Sequence, residues 1–159
     1  SAQERLSPGA LPAADRPFGS LREQAAMQQA WLKKRIDTFL PALMRKQGID
    51  LWVVPMREYN EDPVFPAIVA PETFAARRRT IYVFFDKCAA ANAPVAPNCV
   101  ERIALGGTSQ GGVYDTKAST RAVAPQPGGR QAELWGDEQW QLLKSAVNRK
   151  STRLNSSHT

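Results

Sequence analysis

Two short apolar runs, Leu51 to Val54 and Ile81 to Phe85, settle the class of fold before any other part of the sequence is weighed. Leu51-Trp52-Val53-Val54 shows no polar alternation, the pattern of a strand covered on both faces. Thr80 to Asp86 is rich in β-branched and aromatic residues and reads as a second strand. Neither run approaches the ~20 apolar residues that a bilayer-spanning helix needs, so no membrane span is expected. Prolines at 63, 66 and 71 cut the intervening chain into short helical pieces, the best of them Glu72 to Arg79. A strand, helical segment and strand in succession favour a right-handed crossover with the two strands parallel. Val100 to Leu105 is a third strand, joined to the second through an Ala/Pro/Asn loop and expected to pair with it as a hairpin.

Helical patterns flank these strands. Ser20-Leu21-Arg22-Glu23 is a capping box, with Glu23 able to reach back to the serine amide. Beyond it Leu32, Ile36, Phe39, Leu40, Leu43 and Met44 recur at three- and four-residue spacing, and Lys33, Lys34, Arg45 and Lys46 fall mostly off that stripe. Pro41 predicts a kink or break, and Gly48 the end of the helix. Asp137 predicts the cap of a further helix with Trp140, Leu143 and Ala146 on one face. Trp31, Trp52, Trp135 and Trp140 are expected in the core, because they fall on helices and a buried strand. The fold class is therefore α/β, a mixed sheet flanked by helices.

The 159 residues suit one domain rather than two. Ser1-Ala2-Gln3 lacks an initiator methionine and leads into a Pro/Ala/Gly-rich stretch, so residues 1–19 read as a flexible segment at a mature or cut end. A signal removed just upstream would place the protein in an exported, periplasmic compartment; otherwise it is cytoplasmic. Residues 20–148 form the expected domain. The last eleven residues, 149–159, turn polar and aperiodic and resemble the translation of a common short-read sequencing adapter, which sets them apart as a non-native tail. They carry three of the cations and no acid, so the formal charge of +6 falls to +3 without them. Outside Arg77-Arg78-Arg79 the remaining cations are dispersed, and no nucleic-acid partner is expected.

The chain holds a single histidine, His158, in that tail. Paired-histidine zinc sites and a Ser-His hydrolase built on Ser109 are excluded on that ground. Gly106-Gly107-Thr108-Ser109-Gln110-Gly111-Gly112 lacks the Gly-Lys-Ser/Thr ending of a phosphate loop and reads as a turn closing a strand. Glu58, Glu61 and Asp62, with Arg57 beside them, are the one close carboxylate group in a predicted loop. They lie just past the end of a strand, where α/β sheets bind ligands. They read either as a substrate-entrance loop able to grip an amine or as a solvated loop in which Arg57 pairs with the acids. Cys88 and Cys99 bracket the loop of the expected hairpin. A disulfide and two reduced thiols are both consistent with that placement.

Val54 to Phe65 (VPMREYNEDPVF), Thr73 to Asp86 (TFAARRRTIYVFFD) and Val100 to Gly112 (VERIALGGTSQGG) occur as an ordered series. They resemble the N-terminal domain of the creatinase, prolidase and aminopeptidase P family, the pita-bread metallopeptidases, and in particular its bacterial Xaa-Pro aminopeptidase-like members. The resemblance covers Leu21 to Asn148. It implies a mixed α/β domain, cut before its last strand or strands, whose partner is a catalytic domain missing from this chain. The parent activity would be hydrolysis of proline-adjacent peptide bonds by a hydroxide bridging two divalent metal ions, manganese or zinc. The family's ligands, two aspartates, a histidine and two glutamates, lie in that catalytic domain, so no catalytic or metal residue and no cofactor is assigned here. The resemblance further implies a role in shaping access of the peptide substrate and in subunit contacts, including a homo-oligomer. A stand-alone α/β binding module without hydrolase activity is the alternative.

Overall fold

The computed structural model describes residues 17–76, 78–120 and 134–156, with side chains to residue 152 in the last helix. Residues 1–16, Arg77, the Pro- and Gly-containing segment 121–133 and residues 157–159 with His158 lie outside the described residues. The elements run in the order α1 (Leu21–Lys34), a π-helical turn (Arg35–Phe39), α2 (Leu40–Lys46), β1 (Leu51–Arg57), α3 (Phe65–Ile68), β2 (Arg79–Asp86), α4 (Lys87–Ala90), β3 (Val100–Leu105), β4 (Asp115–Thr116) and α5 (Asp137–Ser156). The protein is thus α/β, with a four-stranded mixed sheet in the order β1-β2-β3-β4.

The first correction to the sequence concerns the crossover. β1 pairs with β2 antiparallel, with Trp52 opposite Phe84 and Val54 opposite Tyr82. A parallel return needs a helix long enough to run the length of the strand. The segment between the strands supplies only the single turn of α3, and no helix forms over the described residues of 72–79. Arg78 instead takes a left-handed conformation (φ 45°) that ends any helical run before β2. The chain therefore re-enters the sheet at the end where it left. β2 and β3 form the expected antiparallel hairpin, with Val83 opposite Ile103, and β4 lies parallel to β3. β1 is consequently an edge strand. Leu51, Trp52 and Val53 are half-buried, where full burial on both faces was expected.

Each face of the sheet is covered by helix. Alternation along β2 sends Tyr82 and Phe84 to one side, where they meet Leu32, Ile36, Leu40 and Met44 of the α1–α2 rod together with Val54, Met56, Phe65 and Ile68. Ile81 and Val83 point the other way, against Leu134, Leu142, Leu143 and Ala146. Burying side chains of this size contributes roughly 1.5–3 kcal/mol each. Trp52 stacks on Phe84 with ring centres 5.3 Å apart.

The capping box at Ser20 forms, Glu23 accepting from the Ser20 amide at 2.6 Å while the Glu23 amide donates to the Ser20 hydroxyl at 3.3 Å. Pro41 does not break the rod. The turn just before it widens, and the Leu40 amide donates to the Arg35 carbonyl five residues back. That wide turn also solves a problem of phase. Core positions 32, 36, 40 and 44 recur every four residues, which drifts about 40° per step in an α-helix and about 120° in all. One extra residue in a wide turn takes back about 100° of the drift, so all four side chains stay on the sheet.

Three of the four tryptophans depart from expectation. Trp31, Trp135 and Trp140 are substantially exposed, and on α5 the buried residues are Gln139, Ala146 and Lys150, with Leu142 and Leu143 half-buried beside them. Arg78 and Arg79 lie over the Trp135 and Trp140 rings, at 5.4 and 4.6 Å from the ring centres. α5 continues to Ser156, across the boundary drawn at 148 and 149. Extending a formed helix fixes one residue per hydrogen bond gained. Lys150 also falls in phase with Ala146, pairing with Glu101 over the Phe85 ring.

Candidate functional site

A cleft of about 560 Å³ opens where β1 ends, β2 begins and β3 ends. Its walls come from Glu58 after β1, from 72–76 and Arg78 ahead of β2, from Thr80 and Tyr82 on β2, and from Gly107, Thr108 and Gln110 after β3. Thr80 and Tyr82 are two residues apart on one strand and so share a face.

Gln110 holds this cleft together. Its side-chain oxygen accepts from the Ala70 amide (2.7 Å) and the Thr73 hydroxyl (2.8 Å), and its side-chain nitrogen donates to the Tyr82 oxygen at 3.4 Å. Its own carbonyl accepts from Gln29 of α1 at 2.9 Å. One residue thus ties the loop before β2 and β2 itself through its side chain, and the first helix through its backbone. The glycines around it let the loop lie close to β2. A Cβ on Gly107 would stand 3.3 Å from the Thr80 side chain. Gly106, at φ +80°, packs still closer, against the Arg79 carbonyl and the Gln139 amide. Gln139 is fully buried at the start of α5 and donates to the carbonyls of Arg79 (2.9 Å) and Leu105 (2.6 Å), clamping the ends of β2 and β3.

Hydrogen-bond donors form the floor of the cleft. The Thr80 hydroxyl, on a residue only 2% exposed, has no partner among the described residues. Burial pushes the Tyr82 phenol up to about 12, against the smaller opposing effect of Gln110, so it remains protonated at neutral pH. Behind it Tyr114 donates to the Ile68 carbonyl at 2.7 Å, its own phenol pushed up by burial and then by Tyr82. Glu58 and Glu72 contribute carboxylates to the wall, and Arg78 contributes a cation.

The acidic group singled out in the sequence is divided by the fold. Glu58 alone reaches the cleft, its backbone amide donating to the Arg78 carbonyl at 3.2 Å. Glu61 turns back to accept the Ala76 amide at 3.1 Å, and Asp62 accepts the Val64 amide at 2.9 Å. Arg57 is exposed and bridged to Asn60 through the backbone, forming no ion pair with these acids among the described residues. Glu72, Arg78, Thr80, Tyr82, Thr108 and Gln110 were not singled out for this role in the sequence.

Cys88 and Cys99 are joined by a disulfide, their Cα atoms 5.1 Å apart. The carboxylate of Asp86 caps the turn that carries Cys88, accepting from the amides of Cys88 (3.0 Å) and Ala89 (2.9 Å), and also accepts from Arg45 of α2 at 2.6 Å. Reducing the disulfide is expected to lower stability by about 3 kcal/mol, the chain-entropy cost of releasing so short a loop. Chemical denaturation with and without reductant measures the loss. Titration under denaturing conditions before reduction should find no free thiol.

The resemblance places its two metal ions in a separate catalytic domain, and the described residues here offer little that could hold one. Among the described residues the one place where three candidate ligands converge is Asp86, Cys88 and Cys99, and there the sulfurs are bonded to each other. Asp37 is likewise engaged, by Lys33 and by Arg102 at 2.5 Å. Glu61 and Asp62 are committed to backbone amides. Among the described residues no helix is long and apolar enough to cross a membrane. No protein-family model, no curated protein and no solved structure matches the chain.

Proposed function

We propose that this chain is the non-catalytic, creatinase/prolidase-type N-terminal domain of an Xaa-Pro aminopeptidase-like metallopeptidase, and that its cleft shapes access of the peptide to a catalytic domain. The observation that carries this is the composition of the cleft. The three segments that resemble the family, 54–65, 73–86 and 100–112, supply every wall residue except Glu72, which directly precedes one of them. The Glu58 and Glu72 carboxylates suit a peptide ammonium group. The donors of Thr80, Tyr82 and Gln110 suit peptide carbonyls. The two-metal hydrolysis belongs to the catalytic domain, and no step of it is assigned to residues here.

Two measurements test the proposal. The 159-residue chain should not hydrolyse a proline-containing tripeptide when supplied with manganese or zinc. In a longer polypeptide carrying the catalytic domain, Glu58→Ala should raise KM about 5- to 10-fold with kcat nearly unchanged, the loss of one charge-assisted contact made equally in ground and transition states. Metal-dependent turnover by the chain alone, abolished in Glu61→Gln, would overturn the assignment. The second function, a stand-alone α/β binding module, gains support from α5, which already covers the second face of the sheet. Full peptidase activity of the catalytic domain without residues 20–148 would favour it.

A further inference from the structure

Two buried hydroxyls on the floor of the cleft carry protons that nothing nearby accepts. Thr80 and Tyr82 are 2% and 1% exposed and stand on one face of β2. The Thr80 hydroxyl has no partner among the described residues. The Tyr82 phenol accepts from Gln110 at 3.4 Å, but its own proton finds no acceptor among them. Buried polar groups are almost always paired, so two unmet donors on one face mark a place where an acceptor oxygen is to be bound. Gly107 leaves the way to them open. A Cβ there would stand 3.3 Å from the Thr80 hydroxyl oxygen, and a larger side chain would cover it.

The walls indicate what carries that oxygen. Glu58 and Glu72 are exposed carboxylates with no ion-pair partner among the described residues, against one cation, Arg78, whose guanidinium lies over Trp135. The cleft therefore favours a cationic ligand over an anionic one. A simple amine has no acceptor to offer the hydroxyls, whereas the amino end of a peptide brings an ammonium group and a carbonyl together. Phe74, followed by Ala75 and Ala76, adds an apolar wall. Its side chain is 89% exposed, yet its backbone is pinned on both sides. Thr73 donates through its hydroxyl to Gln110 and through its amide to the Ala70 carbonyl at 3.0 Å, and the Ala76 amide donates to Glu61 at 3.1 Å. A ring held in place beside polar groups offers contact area to a second large apolar side chain. We propose that the cleft selects the first residue of a peptide, with Thr80 and Tyr82 reading its carbonyl, Phe74 its bulky apolar side chain, and Glu58 and Glu72 facing its ammonium group. This inference rests on the reading of the cleft as a peptide site, and adds which end of the peptide is held and which side chain is preferred.

The test titrates the full chain, followed by NMR, with three tripeptide amides, Phe-Pro-Ala, Gly-Pro-Ala and N-acetyl-Phe-Pro-Ala, and with phenethylamine, which has the ring and the ammonium group but no carbonyl. The Phe-Pro-Ala amide should bind with a Kd of about 0.1–3 mM, roughly 10-fold tighter than each of the other three. Thr80→Val removes the hydroxyl at nearly constant shape and breaks no hydrogen bond among the described residues, and circular dichroism verifies that the variant folds. It should weaken the phenylalanine and glycine peptides alike, by about 5- to 10-fold, so that their ratio is kept. Phe74→Ala, at an exposed position, should instead bring the two peptides to within about 2-fold of each other while leaving the glycine peptide unchanged. Equal affinity for the two peptides, phenethylamine binding as tightly as Phe-Pro-Ala, or undiminished affinity in Thr80→Val overturns the inference, and the cleft then remains a peptide site if Glu58→Ala still weakens binding. No binding of any peptide by folded protein overturns the inference and the peptide reading of the cleft together.

Discussion

Asp86→Ala should destabilise the protein by about 2–4 kcal/mol, the cost of removing a buried carboxylate that holds a partly exposed guanidinium and caps a turn. Asp86 is fully buried, and its carboxylate holds Arg45 and two backbone amides together. Alanine leaves the guanidinium without its counter-charge and the first turn of α4 without its cap. Asp86→Asn, which can keep the cap but not the charge, should cost less. Urea denaturation of the three proteins gives the ranking, and equal stability of wild type and alanine variant would refute it.

The same carboxylate predicts a pH dependence. Burial alone would push its pKa up, but the hydrogen bond from Arg45, the Ala89 amide and the Arg45 charge together outweigh burial and hold it below the ordinary 3.8. Asp37 is lowered in the same way, burial being outweighed by Lys33 and Arg102. A group depressed in the folded state contributes stability that is complete above its unfolded pKa and lost as pH falls through the folded value. Acid unfolding should therefore begin below about pH 4, and the Asp86→Asn variant should show a shallower slope there.

Gly106→Ala should cost about 3–5 kcal/mol, combining left-handed strain in a residue with a Cβ and overpacking. The new methyl would stand 2.8 Å from the Arg79 carbonyl and 2.9 Å from the Gln139 amide nitrogen. The backbone carbonyl cannot yield, whereas the glutamine can be removed. Gln139→Ala alone should be destabilising by about 2–4 kcal/mol, because the buried carbonyls of Arg79 and Leu105 lose their donor. The double variant should be less destabilised than the sum of the two by about 1 kcal/mol, since the clash with Gln139 disappears. Strict additivity would show that the two groups do not share the close contact.

Much of the frame was legible because its signals are local. The capping box of Ser20 and Glu23, the bounds of Val100–Leu105 and the stop near Gly48 each depend on a few adjacent residues. The direction of β2 was not, because it depends on whether 58–78 forms a helix long enough to cross the sheet, and prolines at 66 and 71 with Arg78 at positive φ prevent it. Trp140 was expected in the core because it falls on a helix in line with Leu143 and Ala146, but the buried position of that turn went to Gln139, whose amide satisfies two strand-end carbonyls that an indole cannot reach together. In the acidic loop Glu58, Glu61 and Asp62 are chemically alike. Only the course of the backbone distinguishes the one on the cleft from the two that bind amides. Gln110 lay in plain view between glycines, where a turn was expected and a buried keystone was found.

The wide turn at Arg35–Phe39 makes the rod tolerant of a change in length at one point. Deleting one residue from it would close the rod into uninterrupted α-helix, and the ~100° lost with the residue is the same ~100° that the wide turn takes back. Leu40 and Met44 would stay on the sheet. A codon lost within the straight α-helical part of the rod has no such reserve and would rotate everything beyond it by about 100°. The wide turn is therefore the one place along the rod where an in-frame gap is not a phase error.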